Sequence, residues 1–131
     1  MSYPSIVHLC QERGIQDIRA IPEEVRHDLL WDAFHTDLPL GVAYLEDVAA
    51  QVRTTGGRVR KIEDPNSRLG KQIARLLGAD VARRICSQKL GVAFAFYNCC
   101  VTIAAPDPQG LDINAIEQIE LQNGVLASAD C

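Results

Sequence analysis

The sequence predicts a single α+β domain, predominantly helical, with a short apolar β-hairpin or small sheet around residues 91–105. Three observations carry that prediction. The run VAFAFYNCCVTIAA (92–105) is rich in β-branched and aromatic residues, and only Asn98 and Thr102 interrupt it, so it needs burial on both faces. Most of the chain before it shows apolar spacings of three and four, punctuated by helix start and stop residues. At 131 residues the chain supports one core and not two, without repeats, low-complexity tracts or a linker.

Taken in order, residues 3–14 read as a short helix. Pro4 suits its first turn, where a missing N–H costs nothing, and Gly14 suits the position just past its end. Ile6, Leu9, Cys10 and Arg13 share one side. The segment 15–21 reads as extended. Pro22 opens a second helix over PEEVRHDLLWDAFH, with Glu23 and Glu24 favoured by the helix dipole. Its expected buried face is Val25, Leu29, Leu30, Ala33 and Phe34, with Trp31 at the margin.

Asp37 is the expected N-cap of a third helix over LPLGVAYLEDVAAQVRT, lined by Leu38, Leu45, Val48, Ala49 and Val52 and ended by Gly56-Gly57. RVRKIED reads as a strand, placed at an edge by its charge. Asp64-Pro65-Asn66-Ser67 starts a basic helix whose inner face is Leu69, Ile73, Leu76 and Leu77. Gly78 kinks or ends it, with Asp80 expected to cap a successor carrying Val81, Ala82 and Ile85. Residues 92–104 are long for one strand, which calls for a bend or for a tight turn near Asn98 with hairpin pairing. After the turn at 106–110, residues 112–122 read as helix through Ile113, Ile116 and Leu121, with β-branching leaving a strand open, and the tail is expected to be loose. Three stretches follow within the one domain: an acidic helical part (1–55), a basic helix plus apolar strands (58–105), and a C-terminal part (106–131).

Charge is segregated. Residues 53–89 carry ten Lys and Arg against three acids, a local +7, whereas residues 1–52 come to −6 and residues 90–131 to −5. The basic centre suggests a phosphate-gripping set in Arg58, Arg60, Lys61, Arg68, Lys71 and Arg75. The competing expectation is that these cations meet acids such as Glu23, Glu24, Glu46 and Asp47, within the chain or across a dimer.

Catalysis finds little support. There is no glycine-rich phosphate loop and no GxSxG, and His8, His27 and His35 lack metal-ligand spacing. No catalytic residue, metal site or cofactor is expected. The five cysteines (Cys10, Cys86, Cys99, Cys100, Cys131) are odd in number and irregularly spaced, which fits reduced thiols. The N-terminus has no basic start and apolar run, and no stretch is long enough to span a bilayer, so a soluble intracellular protein with no membrane partner is expected.

Two stretches resemble known families. QIARLLGADVARRICSQKL is similar to a helix-turn-helix with Leu77-Gly78 at the turn, but the position six after that glycine, apolar in the family, holds Arg84. SIVHLCQERG followed by AIPEEVRHDLL resembles the elongin-binding box of SOCS-box proteins over residues 5–34. The corresponding positions are Ser5, Ile6, Cys10 and Gly14, then Ile21 and Pro22. The sequence departs from the pattern with Ile6 for leucine, Gly14 for alanine, and one proline where the family often has two. The resemblance implies a helix whose i, i+4, i+8 stripe enters a shallow pocket on a partner. The expectation from the whole chain is a non-enzymatic adaptor or assembly protein, binding a protein partner or a second copy of itself. Nucleic-acid or other polyanion binding through residues 53–89 is the alternative, and a small enzyme of unknown reaction comes third.

Overall fold

A computed structural model describes residues 3–97 and 101–106. The expectations for residues 107–131, and for the turn at 98–100, lie outside the described residues. Among the described residues, five helices run α1 (Ser5–Glu12), α2 (Glu23–Asp37), α3 (Pro39–Thr55), α4 (Arg68–Leu77) and α5 (Asp80–Leu90). Three strands, β1 (Val59–Ile62), β2 (Ala93–Tyr97) and β3 (Val101–Ala105), form an antiparallel sheet in the order β1-β3-β2. The architecture is the mostly helical α+β domain that the sequence predicts.

The sheet turns the apolar run into a hairpin, with Phe94 opposite Ala104 and Phe96 opposite Thr102. Charged β1 takes one edge, Val59 opposite Ala104 and Lys61 opposite Thr102. Cross-strand partners share a face, so Val59, Phe94, Phe96 and Ala104 lie together, and these pack on the helical core. The other face carries Ala93, Ala95, Val101 and Ile103, all buried. Central strand β3 is thus buried on both sides from Val101 to Ala104. At the outer side of β2 the Phe94 N–H donates to Ser87 Oγ of α5 (3.4 Å), so this edge is blunted by a helix side chain.

Helix α3 stands at the centre. Leu38, Val42, Leu45, Val48 and Val52 meet Phe34 of α2, Ile73, Leu76 and Leu77 of α4, and Ile85 and Cys86 of α5. Each such aliphatic side chain contributes about 1.5–3 kcal/mol on full burial. Gly56, in the left-handed region at φ 69°, closes α3 through its N–H to Val52 O (2.8 Å). Ser67 caps α4, its Oγ accepting from the Gly70 N–H at 2.9 Å.

Several local expectations are corrected. Residues 15–21 are extended only in part: Asp17 and Ile21 have extended backbone, but Ile18–Ala20 between them form a 3-10 turn, capped by Asp17 accepting from the Arg19 N–H (3.0 Å). Asp37 does not cap α3. It ends α2 and reaches back to α1, where its Oδ2 accepts from the Ser5 N–H (3.1 Å) and Ser5 Oγ (2.9 Å). The start of α3 is served instead by Gln72 of α4, whose Oε1 accepts from the Gly41 N–H at 2.9 Å. Asp80 makes no cap either: it is the first residue of α5 and pairs with Arg83 at 2.5 Å. Val25, expected on an inner face, is 43% exposed, and Val81 of α5 is 50% exposed.

Candidate docking groove

Helix α1 has no fully buried residue, yet it is held along α2 by a polar clamp at each end. Asp37 holds Ser5 at its start, and Asp32 pairs with Arg13 just past its end. Because residue 5 meets 37 and residue 13 meets 32, the two helices run antiparallel. Tyr3, just ahead of α1, stacks edge-on to Phe34 with centroids 5.1 Å apart, and the Arg75 guanidinium lies 5.3 Å from the Tyr3 centroid. Burial pushes the Tyr3 phenol above its ordinary pKa, and Arg75 offsets part of the rise.

On the far side, Arg83 fixes the link from α4 to α5. It donates to Leu77 O at 3.0 Å, satisfying a carbonyl at the end of α4, while it pairs with Asp80. This arrangement turns Val81 outward and Ala82 inward.

Between these walls lies an apolar groove of about 560 Å3. Tyr3, Ile6 and Val7 form one side, Leu30 and Phe34 the floor, and Ala79, Val81 and Ala82 the other side, with Ile18 of the 3-10 turn also lining it. Val7 is 65% exposed, so both rims present apolar surface to water. A second concavity of about 230 Å3 continues it through shared Leu30 and Val81, and is otherwise lined by Glu23, Arg26, His27 and Arg84. Glu23 faces His27 at 3.5 Å.

Of the elongin-box positions, Ile6 lines the groove. Cys10, one turn on, is half-buried and accepts through its carbonyl from the Ile15 N–H (2.9 Å). Gly14 is exposed beyond α1, Ile21 is half-buried, and Pro22 is exposed ahead of α2. Only Ile6 of this set is brought into the groove.

The cationic set divides. Arg60 and Lys61 alternate to opposite faces of β1, Arg60 opposite Ile103 and Lys61 opposite Thr102. Arg58 is exposed before β1, and Arg68 and Lys71 are exposed on α4. Arg75 is engaged with Tyr3, and Arg60 has a contact of its own within the chain. Among the described residues, no ion pair joins Arg58, Lys61, Arg68 or Lys71 to Glu23, Glu24, Glu46 or Asp47. The basic centre does meet the acidic flank where Lys89 pairs with Asp28 and holds its carboxyl below the usual range. In the helix-turn-helix-like stretch, Ile85 faces the core and Arg84 faces outward.

Reactive chemistry is sparse here. Cys86 is buried, and burial pushes its thiol up to about 12, leaving it inert as a nucleophile near neutral pH. Among the described residues, no group of three or more His, Cys, Asp or Glu side chains is placed to hold a metal, and no helix is long and apolar enough to cross a membrane. What the groove can do is bury apolar surface.

Sequence reasoning missed Val7 and Ile18, and named Val81 without its place at the groove. The available signal was that Val7 lies off the Ile6–Leu9–Cys10 stripe, an apolar residue with no inner face to join. By its fold, the protein is a helical α+β domain closed by a three-stranded antiparallel sheet. Comparison of the chain with protein-family models, with curated proteins and with solved structures finds no match.

Proposed function

We propose that this chain is a non-enzymatic protein-interaction module, and that its groove takes the apolar face of an amphipathic helix from a partner protein. The observation that carries this reading is the apolar groove with exposed valines on both rims. A monomer gains nothing by presenting Val7 and Val81 to water on either side of a concavity, whereas a helix laid between them would bury both. Helical partners fit grooves bounded by helices, because anchors at i, i+3, i+4 and i+7 match their spacing. Ile6, the leading apolar position of the elongin-box resemblance, belongs to this groove, so an elongin-type partner would engage it there. Polyanion binding is the weaker reading, since alternation along β1 splits Arg60 from Lys61.

The test uses a fluorescent amphipathic helical peptide with leucines on one face, titrated into native protein and into Val7→Asp and Val81→Asp variants. Both sites are exposed, so the melting temperature should move by no more than about 2 °C. Binding should weaken about tenfold or more, since each aspartate would be desolvated against an apolar face. Equal affinity for all three proteins would contradict the proposal.

A further inference from the structure

Building on the docking reading above, we infer that the groove selects an acidic helix, one carrying a carboxylate just beyond its apolar anchors, read by Arg26 and Arg84. Charge complements such a helix at one end of the groove only. The apolar groove passes, through shared Leu30 and Val81, into a concavity whose charged lining is Arg26, Arg84, Glu23 and His27. Glu23 faces His27. The nearby carboxylates are also engaged, Asp80 by Arg83 and Asp28 by Lys89. Among the described residues, the Arg26 and Arg84 side chains have no ion-pair or hydrogen-bond partner. Two cations without a direct ion-pair partner, outnumbering the single carboxylate of Glu23 in the same lining, therefore stand at the end of an apolar trough.

A guanidinium beside an apolar wall offers a carboxylate a planar pair of donors, and a bound helix would exclude part of the competing water. The chain as a whole carries −4, so its overall field does not draw acids in. At physiological salt that field is screened beyond about 8 Å, and the local pair decides. A lysine at the same place on the partner helix would meet two like charges. Selection is thus local and positional.

The experiment compares two labelled helical peptides with the same leucine face, one ending in two glutamates and the other in two lysines, at 150 mM salt. The native protein should bind the glutamate peptide about tenfold more tightly. The Arg26→Glu/Arg84→Glu variant should reverse the preference, and Arg26→Gln/Arg84→Gln should abolish it while preserving the fold. Equal binding of both peptides by native protein would overturn acidic selection and leave groove docking standing. Binding of neither would overturn both. A glutamate peptide with a scrambled apolar face that binds equally well would reduce the effect to unspecific attraction and overturn the inference. So would displacement of the peptide by a fluorescent fatty acid of higher affinity, which assigns the trough to a lipid. A stable native dimer that excludes the peptide until Val81→Asp dissociates it would assign the trough to a second copy, and the inference would fall.

Discussion

Replacing Gly41 by alanine sets two effects of known sign against each other. Gly41 is the third residue of α3, and alanine is a better helix former by up to about 1 kcal/mol, less in a first turn. Against this, a Cβ at residue 41 would stand 2.8 Å from Leu76 Cδ1, 3.1 Å from Gln72 Cβ and 3.2 Å from the Gln72 carbonyl carbon. Carbon atoms rest near about 3.5–4.0 Å. Leu76 is fully buried, and the Gln72 atoms belong to the body of α4, so α3 and α4 must part by several tenths of an ångström. That separation also stretches the Gln72 Oε1 bond to the Gly41 N–H. Overpacking of this kind costs about 1–3 kcal/mol, which outweighs the propensity gain and leaves about 1–2 kcal/mol of destabilisation. At about 2.1 cal/mol/K per residue, the melting temperature should fall by about 4–7 °C. Thermal and urea unfolding measure it, with the urea slope unchanged because the folded surface is nearly the same. Gly57→Ala, where no atom lies within 4 Å, is the control and should shift little. An unchanged or raised melting temperature for Gly41→Ala would refute the close approach of α3 and α4.

Asp37→Ala should loosen α1 and spare α3. Amide exchange across residues 5–12 should quicken, while the global melting temperature moves little because α1 buries no residue fully; faster exchange at the start of α3 instead would refute the assigned cap. Asp28→Asn should flatten the acid limb of stability. A carboxyl held low in the folded state by Lys89 adds stability above the unfolded value of about 3.9 and loses it as pH falls below. Melting curves from pH 5 to 2 should therefore converge for native and variant at the acid end, and parallel curves would contradict the pairing. Cys86 should resist iodoacetamide at pH 8 until the chain unfolds, whereas half-buried Cys10 should react in the native state, as peptide mapping would show. Equal labelling rates would place Cys86 nearer the surface than its burial implies.

The elements that the sequence announced are those whose signals are local. Ser67 and the Asp64–Ser67 turn mark the start of α4, Gly56 marks the end of α3, and the apolar character of 92–105, interrupted only at Asn98 and Thr102, marks a buried hairpin. Charge in RVRKIED was enough to put β1 at an edge, though not to place β3 at the centre. What stayed hidden depends on residues far apart in the chain. Asp37 looks like a cap for the helix that follows it, yet it caps one 32 residues earlier. Gln72 looks like a surface glutamine, yet it completes the first turn of α3. The groove was hidden for a related reason. In the sequence Val7 has no assigned place and Val81 is only one apolar residue of its helix, because hydrophobicity alone does not distinguish a side chain facing the interior from one at the rim of a concavity. Ile6 was singled out through a family pattern, and in the fold it is the one residue of that pattern to reach the groove. The cationic set read as one cluster because sequence proximity hides the alternation of Arg60 and Lys61.

Methyl NMR of Ile-, Leu- and Val-labelled protein, titrated with the acidic helical peptide, tests the docking groove most directly. Shifts should concentrate on Ile6, Val7, Ile18, Leu30 and Val81, whose methyl groups line the trough. Val59, Ile62 and Leu69, which report on β1 and the start of α4, should stay in place. No shifts at saturating peptide, or shifts confined to Val59, Ile62 and Leu69, would contradict it and move the binding surface to the basic strand and helix.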